Sequence, residues 1–105
     1  MKKNPKKLKT WSALKRERFS KNPDEAFAYL KSSLEDNSDA PEIVINAIRL
    51  VSESLGLSIE QIAKKANKSP STIHKALGKT GNPTLETLSA VLKTMGLKLT
   101  VSKAS

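Results

Sequence analysis

The chain has 105 residues, a formal net charge of +9 and 37% hydrophobic residues, which suits one domain with a modest core and argues against an elaborate enclosed active site. It contains no cysteine and one histidine, which excludes disulfides, thiolate metal sites and paired-histidine metal motifs. No stretch approaches the roughly 20 apolar residues of a membrane span, and no signal-peptide segment follows the basic start. We therefore expect a soluble, cytoplasmic protein with no membrane partner, metal or cofactor.

The charge is unevenly distributed along the chain. Residues 1–21 carry nine basic side chains and one acidic side chain, residues 22–57 carry a net charge of −5, and residues 58–105 carry +6. A basic surface attracts polyanions, and nucleic acid is the first candidate. For residues 1–21, contact with nucleic acid and a solvated charge run that maintains solubility are equally good interpretations.

Residues 1–21 are predicted to be a basic, partly disordered N-terminal extension that precedes a domain over residues 22–105, because dense lysines oppose a packed start. The second half of the extension nevertheless contains Trp11, Leu14 and Phe19. We expect these side chains to dock on the domain, since Trp11 and Leu14 have helical spacing. The alternative is that Trp11 stacks on a nucleic-acid base.

A first helix is predicted from Pro23 to about Glu35. Asn22 precedes it as a capping residue, and Asp24 and Glu25 fall in the first turn, where acids face the positive end of the helix dipole. The apolar stripe of this helix consists of Ala26, Phe27, Leu30 and Leu34.

A second helix is predicted to begin at Pro41. Asp39 and Glu42 have the spacing of a capping box around that proline, and Gly56 ends the helix. The core-facing residues of this helix are Val44, Ala47, Ile48, Val51 and Leu55.

The next stretch, residues 57–78, predicts two short helices joined by a tight turn. Ser58 and Gln61 form a capping box at the start of the first helix, and Asn67 ends that helix in the left-handed conformation. Ser69 caps the second helix, and a proline occupies its first turn. So short a joint makes the helices cross steeply and leaves a small, polar, basic outer face. The outer residues are Ser71, Thr72, His74 and Lys75, and the inward residues are Ile73 and Leu77.

A loop rich in turn formers, residues 78–83, follows this pair of helices. Its glycines would let backbone N–H groups approach a phosphate, and Lys79 adds positive charge. Thr84 then caps a last helix, which stops at Gly96. The apolar side of that helix consists of Leu85, Leu88, Val91, Leu92 and Met95.

The segment from Leu97 to Val101 alternates apolar and polar residues, which predicts a short strand. A single strand in a helical chain has no second strand to pair with, so we expect a twofold homodimer joined through Leu97, Leu99 and Val101. The alternative is a frayed tail in which the alternation arose by chance.

The predicted pair of helices resembles the helix-turn-helix of the lambda-repressor-like (XRE) family. In that family the turn usually carries glycine and then an aliphatic residue, whereas this chain has Asn67 and Lys68. Asparagine tolerates the left-handed conformation, but Lys68 replaces a buried aliphatic side chain and leaves open whether the turn is distorted. The alternative is a purely structural helical hairpin. The matching residues are Ile62-Ala63 in the first helix, Ser69 at the turn and Ser71-Thr72-Ile73 in the second helix.

The order of elements over residues 23–101 is similar to that of a narrower group, the HigA-like antitoxins, or addiction-module antidote proteins, of type II toxin–antitoxin pairs. This resemblance implies an all-α, lambda-repressor-like helical bundle with one short C-terminal strand. It also implies a small dimeric repressor that binds the promoter of its own operon and holds a RelE/ParE-like toxin inactive. The residues that carry the likeness are Ala28-Tyr29-Leu30, Leu34-Glu35-Asp36, residues 71–77, residues 81–85, Leu92 and residues 95–99.

The sequence and the resemblance together predict a sequence-specific DNA-binding antitoxin that represses its own operon. Its expected partners are double-stranded operator DNA, a cognate toxin and a second copy of the chain. The candidate DNA-binding residues are Gln61, Ser69, Ser71, Thr72, His74, Lys75 and Lys79.

Three alternatives to this prediction differ in class. An enzyme is disfavoured, because Ser71 and His74 have no orienting carboxylate nearby in the sequence, so we expect no catalytic residues. A stand-alone dimeric transcriptional repressor without a toxin would share the DNA-binding surface. A protein-interaction module that kept the fold but lost DNA binding is favoured only by Lys68 and Pro70.

Overall fold

A computed structural model describes residues 10–37, 39–79, 81–101 and 103 of the chain. Within these residues the protein is all-α, as predicted, and it divides into two compact units, Met1–Gly56 and Leu57–Ser105. The first unit contains α1 (Trp11–Lys21), α2 (Pro23–Asp36) and α3 (Pro41–Ser54), and the second contains α4 (Ile59–Ala66), α5 (Pro70–Ala76) and α6 (Leu85–Thr94).

The described part of the predicted N-terminal extension is helical, and residues 1–9 lie outside the described residues. Phe19 is only 5% exposed, and its ring centroid lies 5.2 Å from that of Tyr29. The docking predicted for Trp11 and Leu14 is wrong, since they are 76% and 41% exposed. For Leu14 the physical reason is geometric: Leu14 and Phe19 are five residues apart, or about 140° around a helix, so both cannot face the core.

Polar contacts hold α1 against the rest of the first unit. The Lys15 ammonium lies 4.8 Å from the ring centroid of Tyr29, and the Arg16 guanidinium lies 3.3 Å from the Glu53 carboxylate on α3. Arg18 makes a two-pronged contact with Glu25 on α2. The helix is therefore held by one buried aromatic side chain and three cations.

The helices α2 and α3 begin at prolines, as predicted, but their caps differ from the prediction. The side-chain amide of Asn22 donates to the Arg18 carbonyl at 3.0 Å, so it satisfies the end of α1 and does not cap α2. The N-cap of α3 is Ala40, without a side-chain hydrogen bond, and Asp39 lies one residue too early to cap it. A proline at the first position lacks an N–H group, so each helix start has one donor fewer to satisfy.

The core of the first unit is centred on α3, which packs against both α1 and α2. Ala47, Ile48 and Val51 are essentially inaccessible, in agreement with the predicted inner face, whereas Leu55 is half-buried. The stripe predicted on α2 is confirmed at Ala26 and Leu30. The other buried apolar residues of α3 are Val44, Ile45 and Leu50.

In the second unit, α4 packs against both α5 and α6. Thr84 caps α6 as predicted, because its hydroxyl accepts the Thr87 N–H at 3.1 Å. The prediction that Leu85 faces the core is wrong, since it is 73% exposed at the first position of α6. The buried apolar residues of this unit are Ile62, Ala63, Ile73, Ala76, Leu77, Val91, Leu92 and Met95.

The strand predicted over Leu97 to Val101 is absent, and the described residues contain no strand elsewhere. Gly96 takes a φ of 78°, and the Leu97 N–H donates to the Leu92 carbonyl at 3.0 Å, which closes the end of α6. A strand exists only where a second strand supplies ladder hydrogen bonds, and the described part of this chain offers none. The fold class is therefore corrected to all-α without the C-terminal strand.

Candidate nucleic-acid interface

The first helix of the candidate interface, α4, begins at a complete capping box. The Ser58 hydroxyl accepts the Gln61 N–H at 3.2 Å, and the Gln61 side-chain oxygen accepts the Ser58 N–H at 2.9 Å. This confirms the predicted cap and matters for a helix of eight residues, because short helices are marginal without stabilised ends. The side-chain oxygen of Gln61 is thereby used in the cap, and its side-chain nitrogen is left as a hydrogen-bond donor.

The turn between α4 and α5 is regular despite the lysine in it. Asn67 adopts the predicted left-handed conformation, with φ 57° and ψ 44°. The Lys68 N–H donates to the Ala63 carbonyl at 2.9 Å and the Asn67 N–H to the Lys64 carbonyl at 3.3 Å, which is the hydrogen-bond pattern of a Schellman motif. Lys68 therefore does not distort the turn.

The positive charge of Lys68 is paired with a carboxylate on α6. Its side chain is only 23% exposed, and its ammonium lies 3.2 Å from the carboxylate of Glu86, which is 81% exposed. The aliphatic stem can cover apolar surface while the charged end reaches solvent and a carboxylate. The sequence analysis did not identify Glu86. The signal that could have indicated it is that Glu86 is one of only two acids in the strongly basic segment 58–105.

The second helix, α5, is fixed at its start by Ser69. The Ser69 hydroxyl accepts the Thr72 N–H at 3.1 Å, and the two hydroxyl groups lie 2.8 Å apart. Ile73 and Leu77 are 0% and 3% exposed, so they anchor the inner side of the helix, as predicted.

The outer face of α5 is exposed, polar and basic, in the arrangement that the sequence predicts. With Ser69 at the helix start, the residues of this face are Ser71, Thr72, His74 and Lys75, and all of them are exposed. Side chains of these types can donate to phosphate oxygens and to base edges. We call this set the α5 face.

The loop after α5 is folded back onto the end of that helix. A Cβ atom on Gly81 would lie 2.3 Å from the Ala76 carbonyl oxygen, so only glycine fits there. The Gly78 N–H donates to the Lys75 carbonyl at 3.2 Å and the Gly81 N–H to the Gly78 carbonyl at 3.0 Å. The amides of these two glycines are therefore already bonded within the protein, whereas the Lys79 side chain of the loop is exposed.

An open groove runs between α5 and the residues that follow it in the second unit. Thr72 and Lys75 line it from α5, and Asn82 and Thr87 line it from the loop and from α6. The groove therefore adds the amide group of Asn82 and the hydroxyl group of Thr87 to the polar surface next to the α5 face. Asn82 is exposed, and we add it to the candidate site as a further polar side chain.

A second charged feature lies in the first unit, where α2 ends and α3 begins. Glu35, Asp36, Asp39 and Glu42 fall within eight residues and are exposed, and we call them the acidic corner. They have no ion-pair partner among the described residues, in contrast with Glu25 and Glu53, which are paired with the arginines of α1.

Helix stability does not explain the whole acidic corner. Glu35 and Asp36 occupy the last turn of α2, where negative charge opposes the helix dipole. Glu42, by contrast, lies in the first turn of α3, where an acid is favourable. The two acids at the end of α2 therefore cost stability in the isolated chain.

The described residues contain no group of three His, Cys, Asp or Glu side chains arranged to hold a metal ion. In the same part of the chain, no helix has the length and apolar character needed to cross a bilayer.

The described residues are thus all-helical outside turns and loops, and they present two capped helices with an exposed polar outer face together with an acidic corner. The chain belongs to the family described as probable addiction module antidote protein, whose model matches residues 13–103. It is also similar to a protein of Haemophilus influenzae described as uncharacterized, with 32% identity over 81 residues, which cover 77% of this chain and 79% of that protein. No solved structure gives a significant match.

Membership of an antidote family gives the chain an antitoxin role and implies a toxin as its partner. It also indicates a regulatory protein rather than an enzyme. The family match covers α2–α6 and most of α1, so it includes both the acidic corner and the α5 face.

Proposed function

We propose that this protein is a HigA-like antitoxin that neutralises a RelE/ParE-like toxin and represses its own operon by binding operator DNA as a homodimer. In this proposal α4 and α5 form the helix-turn-helix of a lambda-repressor-like (XRE) fold. The observation that carries the DNA-binding half is the α5 face, which is exposed and basic while Ile73 and Leu77 anchor the opposite side of the same helix.

The candidate DNA-binding residues on the α5 face, on α4 and in the loop after α5 divide by expected role. Ser71, Thr72 and Lys75 contact base edges in the major groove, because they lie in the first turns of a recognition helix. Ser69, His74 and Lys79 contact phosphates or adjacent base edges, and Gln61 donates to the backbone through its side-chain nitrogen. The second unit carries eight lysines against two acids, and this charge draws DNA to it.

The toxin-binding half of the proposal is supported by the acidic corner. Toxins of the RelE/ParE-like class are generally basic, so four exposed acids supply complementary charge. A partner that neutralises Glu35 and Asp36 also removes their unfavourable interaction with the end of α2. We assign the toxin contact to α2 and α3 on this basis.

The homodimer is proposed through residues 97–101. In the single chain Leu97 and Leu99 are half-buried, Lys98 and Thr100 are exposed, and Val101 is 94% exposed. An antiparallel strand from a second copy would supply ladder hydrogen bonds and cover Val101. Such a dimer would place two recognition helices about one DNA turn apart, roughly 34 Å.

The DNA-binding half is tested by Lys75→Ala, measured by fluorescence anisotropy with a duplex from the upstream region of the gene. We expect a loss of about 1–3 kcal/mol of binding free energy to that duplex and little change with an unrelated duplex, because a base contact is removed. Lys93→Ala is the matched control, since Lys93 is an exposed lysine of the same unit on α6.

Lys79→Ala should weaken binding to both duplexes alike and reduce the salt dependence, as expected for a phosphate contact. If Lys75→Ala and Lys93→Ala bind the upstream duplex as tightly as the unmodified chain, α5 is not the recognition helix.

A further inference from the structure

The exposed side of α4 carries cations that continue into the turn before α5. Lys64 and Lys65 are exposed and lie about 100° apart around the helix, with Gln61 one turn earlier between them. Lys68 follows in the turn, directly before Ser69 at the start of α5. We call Lys64, Lys65 and Lys68 the α4 lysines. The buried residues on the other side of the helix are Ile62 and Ala63.

The charges of the α4 lysines are balanced to different degrees. Lys64 and Lys65 have no ion-pair partner among the described residues, whereas the Lys68 ammonium lies 3.2 Å from the Glu86 carboxylate. Glu86 lies in the first turn of α6, where the helix dipole favours an acid. An ion pair with a carboxylate that is 81% exposed is weak, so a phosphate group can replace Glu86 as the partner of Lys68. The surface therefore has two unpaired cations and one that is partly neutralised.

The charge and the position of the α4 lysines identify the kind of partner that fits them. Residues 58–105 contain eight lysines against Glu60 and Glu86. A generally basic toxin is repelled by such a surface, whereas a phosphate backbone is attracted to it. The α4 lysines also lie between Gln61 and Ser69 in the chain, and both of these are candidate DNA-binding residues. They therefore continue the candidate interface along α4.

We propose that Lys64 and Lys65 bind the phosphate backbone of duplex DNA without sequence preference, and that Glu86 limits the strength of this contact by pairing with Lys68. The choice of DNA as the polyanion rests on the proposed function. The lysines supply affinity for any duplex, while the α5 face distinguishes one sequence from another. Glu86 weakens binding to all duplexes alike, which limits the fraction of the protein held at unrelated sites.

The phosphate contact is tested with the variant Lys64→Gln/Lys65→Gln of the full-length protein. Anisotropy titrations with the upstream duplex and with an unrelated duplex should show at least about fivefold weaker binding to both at about 0.1 M salt, and a salt dependence that is shallower by about two phosphate contacts. The variant Lys64→Arg/Lys65→Arg should keep the affinity, because it keeps the charge. The matched control is Lys31→Gln/Lys93→Gln, which removes two exposed lysines of α2 and α6 and should change binding less than about twofold.

The role of Glu86 is tested by a double-mutant cycle with Lys68. Glu86→Gln should strengthen binding to both duplexes about three- to fivefold and steepen the salt dependence by about one phosphate contact, because Lys68 is released. Lys68→Gln introduced into that variant should abolish the gain. Asp24→Asn, which removes an exposed acid of α2 and leaves Lys68 paired, should not strengthen binding. A gain that persists without Lys68 would contradict the assigned role of Glu86.

The same titrations separate this inference from the proposed function. Unchanged binding by Lys64→Gln/Lys65→Gln, a loss confined to the upstream duplex, or an arginine variant as weak as the glutamine variant would each overturn the inference. If Lys75→Ala then still loses affinity for the upstream duplex, the proposed function stands. If the glutamine variant loses affinity for both duplexes but the unmodified chain shows no preference for the upstream duplex, the inference holds and the sequence-specific part of the proposed function fails. Binding of neither duplex would overturn both.

Discussion

At the scale of single residues, the turn between α4 and α5 and the loop after α5 depend on backbone conformations that few residue types allow. Asn67 is the only described non-glycine residue with positive φ, and asparagine tolerates that conformation because its short polar side chain bonds locally. Gly81 is constrained differently, since its Cα lies against the carbonyl groups at the end of α5. The backbone of the candidate interface is therefore shaped by these two small residues.

Gly81→Ala should lower the free energy of unfolding by about 1–3 kcal/mol, because the added Cβ would lie 2.3 Å from a backbone oxygen that cannot move without distorting α5. Urea denaturation followed by circular dichroism measures the change. Gly78→Ala is the matched control: its Cβ would lie 3.2 Å from the nearest atom, and we expect a smaller loss. Equal losses in the two variants would show that the loop is not packed on the helix end as described.

The residues that could be predicted from the sequence were those that act locally. Ser58, Asn67 and Ser69 were identified because a cap or a left-handed residue is determined by neighbours within four positions, and their hydrogen bonds are present. The role of Gly81 could not be predicted, since it depends on where the loop folds relative to a helix five residues earlier. For the same reason the Lys68–Glu86 contact was missed, as it joins residues 18 positions apart.

At the scale of elements, α1 shows how helical spacing can mislead. Trp11 and Leu14 share one side of the helix as their spacing predicts, but the core selects Phe19, which lies on another side. Nothing in the spacing indicates which of two apolar sides is buried. That choice is made by partners on α2 and α3, among them Tyr29 and Glu53.

Phe19→Ala should therefore lower the free energy of unfolding by about 3 kcal/mol, because a nearly inaccessible aromatic side chain is removed from the packing of α1. Trp11→Ala should change it by no more than about 0.5 kcal/mol, since the indole is mostly exposed. Chemical denaturation of the two variants provides the comparison. A large loss for Trp11→Ala together with a small loss for Phe19→Ala would contradict the described docking of α1.

At the scale of the whole molecule, different surfaces are proposed to bind different partners. The second unit carries the α5 face and the proposed dimer segment, and the first carries the acidic corner. The strand could not be predicted reliably from five alternating residues, because strand formation depends on a partner that the described part of the single chain does not contain. Because residues 97–101 would form a strand only with a partner, their removal tests whether they form the dimer interface.

Truncation after Gly96 should leave a monomer at micromolar concentration where the full chain forms the proposed dimer, because it removes every residue that would form the intermolecular ladder. Light scattering measures the mass. Val101→Lys serves as a milder variant, since Val101 is 94% exposed in the single chain and its substitution should leave the fold intact. A truncated chain that is as dimeric as the full chain, or a monomeric full chain, would exclude this segment as the interface.

The antitoxin role is tested most directly by co-expression of this protein with the product of the reading frame next to its own gene, with growth and co-purification as the readouts. We expect the unmodified protein to restore growth and to purify in complex with that product. The double variant Glu35→Gln/Glu42→Gln should weaken both effects, whereas Asp24→Asn, which changes an exposed acid outside the acidic corner, should not. No rescue of growth together with no co-purification would contradict the antitoxin account of this pair.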